Sequence, residues 1–108
     1  MANGSIRFMY LRDQNQAPIG CLAILLLNKK LVQYGVSVQN PIDEFDRTLA
    51  RDLAAGRILT NPGMVSARGL SGIHDITRAV MSDLSKDSDA PERAQRAAKR
   101  WLKANPTR

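Results

Sequence analysis

Hydrophobic and polar positions in the first forty residues follow the period of two expected of strands. Ile6, Phe8 and Tyr10 alternate with Arg7 and Met9, which predicts a first strand over 5–11. A polar loop follows at 13–18. Gly20–Leu27 is apolar on both faces and reads best as a central strand, with a short helix as the open alternative at this length. Asn28-Lys29-Lys30 has the composition of a hairpin turn. Leu31–Gln39 then alternates cleanly, with Val32, Tyr34, Val36 and Val38 on one face and Gln33, Gly35, Ser37 and Gln39 on the other. That pattern predicts a strand with one wet face.

Beyond residue 40 the spacing becomes helical. A first helix is expected to start at Asn40 as N-cap, with Pro41 in the first turn and Asp43 and Glu44 favouring the dipole. Phe45, Leu49 and Leu53 form its expected core stripe, and Gly56 its C-terminal stop. On that stripe Arg47 and Arg51 point away from the helix's own core. Residues 60–71 read as loop. A second helix is expected from Gly72 to about Ser85, capped by Ser71, with Ile73, Ile76, Val80 and Leu84 buried. A third is expected from Asp89, with Glu92 completing a capping box. Its faces separate sharply, with Ala94, Ala97, Ala98, Trp101 and Leu102 on one side and Arg93, Arg96, Lys99, Arg100 and Lys103 on the other.

Three strands followed by three helices imply an α+β fold, a three-stranded antiparallel meander with helices covering one face. The expected organisation is one domain over 1–88 with a basic C-terminal helix, 89–108, docked on it. A meander has two edges, so a homo-oligomer is a fair expectation.

Composition sharpens this picture at one end of the chain. Of 108 residues, 16 are Lys or Arg and 10 Asp or Glu, giving +6. Residues 90–108 carry six basic and one acidic residue, whereas 40–60 carry three and four. The C-terminal surplus suits an anionic partner or a solubilising tail. Cys21 is the single cysteine and lies in an apolar run, so a disulfide within the chain is excluded and a reducing, cytoplasmic compartment is expected. The start of the chain lacks the shape of a signal peptide, and Cys21–Leu27, the longest apolar run, is too short to cross a membrane.

No catalytic motif is visible. His74 is the lone histidine, no metal-ligand spacing occurs, and no phosphate loop or nucleophile elbow is present. The chain is therefore expected to be no enzyme, with no catalytic residue, no metal and no cofactor. The candidate chemistry is anion binding. Arg47 and Arg51 are one helical turn apart and can share a phosphate, with Asn40 at the helix start and Arg57 beyond. The plain reading is a solvated face laced with pairs such as Asp43 and Arg47. Arg93, Arg96, Lys99, Arg100 and Lys103 form the alternative site, a surface that tracks a nucleic-acid backbone. Trp101, on the apolar face, reads as a packing anchor.

The block Gly35-Val36-Ser37-Val38-x-x-Pro41-x-Asp43-x-Phe45-x-Arg47-x-x-x-Arg51-x-x-Ala54-x-Gly56-Arg57 resembles a core of small phage and prophage proteins of unknown function. It is also similar to the strand-to-helix core of phage anti-Thoeris sponge proteins. The resemblance spans 23 of the 108 residues. It implies an oligomer that sequesters a cyclic nucleotide immune signal without cleaving it, in the cytoplasm of a bacterial host. Arg47 and Arg51 would hold the phosphates, with Asn40 and Phe45 as neighbours. The expected function is thus a small anti-defence protein that binds a phosphate-bearing nucleotide. Two alternatives stay open: a nucleic-acid-binding or recombination accessory protein acting through the third helix, and an inhibitor of a host defence protein resembling the anti-CRISPRs.

Overall fold

The computed structural model describes residues 6–28 and 30–106. Four strands, β1 (Ile6–Arg12), β2 (Pro18–Leu26), β3 (Leu31–Val38) and β4 (Gly63–Ser66), pair antiparallel in the order β1-β2-β3-β4. Three helices, α1 (Arg47–Thr60), α2 (Ile73–Lys86) and α3 (Glu92–Ala104), complete an α+β fold. The sheet has four strands rather than three, because β4 forms inside the stretch read as loop. Residue 5 of the expected first strand, and Lys29 of the hairpin turn, lie outside the described residues. Leu27 and Asn28 both donate their amides to the Leu31 carbonyl across that turn.

Register explains how the layers stack. On one face Tyr10, Cys21 and Ser37 lie in a row across β1, β2 and β3, and Phe8, Ala23 and Gly35 form the next row. Each row runs from an aromatic ring on β1 to a hydroxyl or a hydrogen on β3. The sheet surface is therefore low over β2 and β3 and walled at β1, and α1 lies in the low part. Ala50, Ala54 and Ile58 of α1 are buried with Cys21 and Ala23. Ser37 Oγ donates to the Ala50 carbonyl at 2.7 Å, and a side chain at Gly35 would collide with the Ala54 carbonyl.

This corrects four expectations. The polar-looking face of β3 is dry at Gly35 and Ser37, which are small enough for a helix to seat on them, while Gln33 and Gln39 stay partly exposed. The buried stripe of α1 is Ala50, Ala54 and Ile58, while Leu49 and Leu53 remain about half exposed. The helix begins at Arg47 with Asp46 as its cap, Asp46 Oδ1 accepting from the Leu49 amide. Asn40 instead caps a local turn, its Oδ1 accepting from the Ile42 amide. Gly56 lies within α1, which runs on to Thr60.

The opposite face is large and apolar. Leu11, Leu22, Ile24, Val32, Tyr34 and Val36 pack under Ile76, Val80, Met81 and Leu84 of α2 and Ala94, Ala97 and Ala98 of α3. Trp101 and Leu102 pack against this core. Helices thus cover both faces of the sheet, not one. Tyr34 anchors α2 by donating from its hydroxyl to Asp83 at 2.6 Å. Burial, and then the Asp83 and Asp87 carboxylates, hold that hydroxyl protonated far above its ordinary range. The expected caps of the later helices are replaced. Gly72 precedes α2, and the Ser71 amide and hydroxyl donate to Asp75, holding its carboxyl below the usual range. Pro91 precedes α3, and Glu92 pairs with Arg96 rather than closing a capping box.

Candidate anion-binding site

The groove that seats α1 also positions its arginines. With the stripe at Ala50, Ala54 and Ile58, Arg47 and Arg51 lie within about 60° of its centre at 100° per residue. They flank the packed face instead of opposing it, on the side toward β1. There the Arg47 guanidinium sits 5.3 Å from the Tyr10 ring centroid and the Arg51 guanidinium 4.5 Å from that of Phe8. Tyr10 and Phe8 are two residues apart on one strand, about 6.6 Å. A helical turn rises about 5.4 Å. The two periods match, so each arginine has its own ring. Phe45 closes one end, its ring edge-on to Tyr10 at 5.8 Å between centroids.

Neither arginine has a carboxylate partner among the described residues, where Arg96–Glu92 is the only ion pair. The anticipated Asp43–Arg47 pair fails because Asp43 lies in the loop before the helix. Both side chains remain exposed. Each stem and guanidinium covers apolar ring surface while donors face outward. The positive charge reaches inward as well. Burial pushes the Cys21 thiol from near 9 to about 11, and the Arg51 charge works against that rise.

Other expected site residues fall elsewhere. Arg57, on the far flank of α1, lines a cleft of about 50 Å³ with Asp87 and Asp89. Asn40 belongs to the loop before α1. On α3, Arg93 donates to the Gln39 carbonyl at 2.6 Å and Arg100 to the Arg12 carbonyl at 3.1 Å. Arg96 is paired with Glu92. Lys99 and Lys103 stand exposed. His74 lies 2.9 Å from Arg78 Nη2, and no group of three metal-ligating side chains gathers among the described residues. Phe8 and Tyr10 are the members of the site that the arginine spacing alone could not reveal. Their alternation on β1 was visible, but which helix would cross that face was not.

Comparisons with protein-family models, curated proteins and solved structures found no match. No helix among the described residues is long and apolar enough to cross a membrane.

Proposed function

We propose that the surface formed by Arg47, Arg51, Tyr10, Phe8 and Phe45 captures a phosphate-bearing nucleotide and holds it without cleavage. One observation carries this reading: two guanidiniums one turn apart, each seated on an aromatic ring and neither neutralised by a carboxylate among the described residues. A guanidinium placed in this way loses little freedom on binding and offers planar, paired donors to phosphate oxygens. Its stacking face also suits a nucleobase. In the setting implied by the resemblance of residues 35–57 to anti-Thoeris sponge proteins, the ligand is a cyclic nucleotide immune signal and the outcome is evasion of host defence.

Calorimetry against a panel of cyclic mono- and dinucleotides tests this. The native protein is expected to take up one of them, and Arg47→Ala with Arg51→Ala to abolish uptake while the thermal melt remains cooperative. Undiminished uptake by the double variant would remove the basis of the proposal. Mass spectrometry of small molecules released from the heat-denatured protein identifies any ligand carried through purification.

A further inference from the structure

A different kind of site lies on the α2 side of the sheet, at the end where β1 begins and β2 finishes. Arg7 precedes Phe8 on β1 and so faces α2 rather than α1. In the antiparallel register Arg7 stands opposite Ile24, and Leu26 opposite Val32. α2 seals this face from Ile76 onward, where Ile76, Val80, Met81 and Leu84 are buried. Ile73, one turn earlier on the same apolar stripe, was expected to be buried with them. It remains 41% exposed, and Leu26 is 46% exposed. Both line a cavity of about 500 Å³ whose buried residues are Ile24, Ala67 and Ile76. The loop from β4 to α2 supplies a further wall through Leu70 and Gly72. Its path is set by Gly69 and Gly72, at left-handed φ of 77° and 91°, and by the Ala67 amide donating to the Lys30 carbonyl at 2.9 Å. Arg7 is the one charged residue in the lining, and no carboxylate among the described residues pairs with it. Asp75, in the first turn of α2, is engaged by Ser71 and lines a separate cleft with Arg78.

The volume falls in the range of about 300–1,000 Å³ typical of small-molecule sites, which are apolar with a few polar groups that fix orientation. Exposed apolar side chains that share one concave space are covered most favourably by an apolar ligand. Arg7 is exposed, and a solvated cation holds an anion only weakly by itself. Together the two features select an amphiphile, whose chain supplies the binding energy and whose head stays in water beside the cation. We propose that this cavity binds a single-chain fatty carboxylate, its chain against Ile24, Leu26, Ile73 and Ile76 and its carboxylate at the Arg7 guanidinium. A second copy of the protein or a bilayer surface would span the mouth and leave the concave interior without contacts. The site is independent of Arg47 and Arg51, which lie across the other face of the sheet.

The test is methyl NMR of the full chain with dodecanoate added below its micelle concentration. Saturable shifts of the Ile24, Ile73 and Ile76 methyls are expected, with Ile58 of α1 unmoved, and the same shifts in Arg47→Ala/Arg51→Ala protein. Affinity is expected to rise about tenfold for every two methylenes from octanoate to dodecanoate, since each fully buried methylene is worth about fourfold. Dodecylammonium is expected to bind several-fold more weakly than dodecanoate, and Arg7→Ala to erase that difference while keeping the dependence on chain length. Ile73→Asp places an acid in the first turn of α2 at an exposed position, which the helix tolerates, and is expected to weaken dodecanoate by about tenfold. Ile24 and Ile76 methyls that ignore dodecanoate, affinities independent of chain length, or equal binding of dodecylammonium overturn the proposal. So does a dimer in sedimentation, or pelleting with phosphatidylglycerol vesicles, that Ile73→Asp abolishes and dodecanoate does not displace, which would assign the cavity mouth to a second copy or to a membrane.

Discussion

Gly35 and Gly56 have opposite roles although both sit in regular elements. At Gly35 the α1 backbone approaches so closely that a methyl group would strike the Ala54 carbonyl. Gly35→Ala is expected to cost about 1–3 kcal/mol, read as a lower denaturant midpoint. At Gly56 a methyl group would meet nothing within 4 Å, and the residue lies inside α1. Gly56→Ala is expected to stabilise by about 0.5–1 kcal/mol and raise the melting temperature by a few degrees. A lower melting temperature would mean that Gly56 is not in an ordinary helix. Cys21 supplies a pH dependence. Its thiol is raised on folding, so its contribution to stability is intact below pH 9, its ordinary value, and is lost as pH climbs toward about 11. Ellman's reagent at pH 8 should leave the native thiol unmodified and titrate it fully in denaturant.

Among the elements, α1 shows why a helix can be foreseen while its orientation is missed. Phe45, Leu49 and Leu53 satisfy the i, i+4, i+8 rule, and so do Ala50, Ala54 and Ile58. Hydrophobicity favours the first set. The choice is made by β3, whose Gly35 and Ser37 leave room for alanines but not for leucines. That information is divided between two elements and appears only when they dock. β4 was hidden for a similar reason: four residues behind Pro62 become a strand because β3 supplies the partner. The third helix, by contrast, was legible in its apolar face, where Ala94, Ala97 and Ala98 are buried and Trp101 packs against them as expected, although Arg93 and Arg100 of the expected basic face turn back to donate to the Gln39 and Arg12 carbonyls. Removing α3 would expose the core that Ala94, Ala97 and Ala98 close, so its nucleic-acid role is better tested by charge reversal. Lys99→Glu with Lys103→Glu is expected to leave the fold intact. It is expected to leave nucleotide capture by Arg47 and Arg51 unchanged within a factor of about two, since surface charges at a distance are largely screened. An oligonucleotide gel shift that vanishes in this variant would establish α3 as the partner surface instead.

At the scale of the whole molecule, the sheet separates two fields of different character. The α1 segment, residues 40–60, holds three arginines against four acids, so Arg47 and Arg51 are a local cationic spot on an otherwise balanced surface. Behind the sheet, Arg93, Arg96, Lys99, Arg100 and Lys103 are spread along α3. A small anion needs the first arrangement and a long polyanion the second, and ionic strength tells them apart. Each phosphate neutralised contributes about −0.7 to the slope of log affinity against log salt for single-stranded partners. A small nucleotide carries no condensed counterion layer, so its capture by Arg47 and Arg51 should weaken with salt only through screening, with a slope shallower than about −1. A strand tracking Arg96, Lys99, Arg100 and Lys103 should show about −2.8. Titrations at several salt concentrations, followed by calorimetry for the nucleotide and by fluorescence anisotropy for an oligonucleotide, give both slopes. A nucleotide slope as steep as the oligonucleotide's would place the ligand outside the α1–β1 surface, because screening of a contact with two guanidiniums does not produce so steep a dependence.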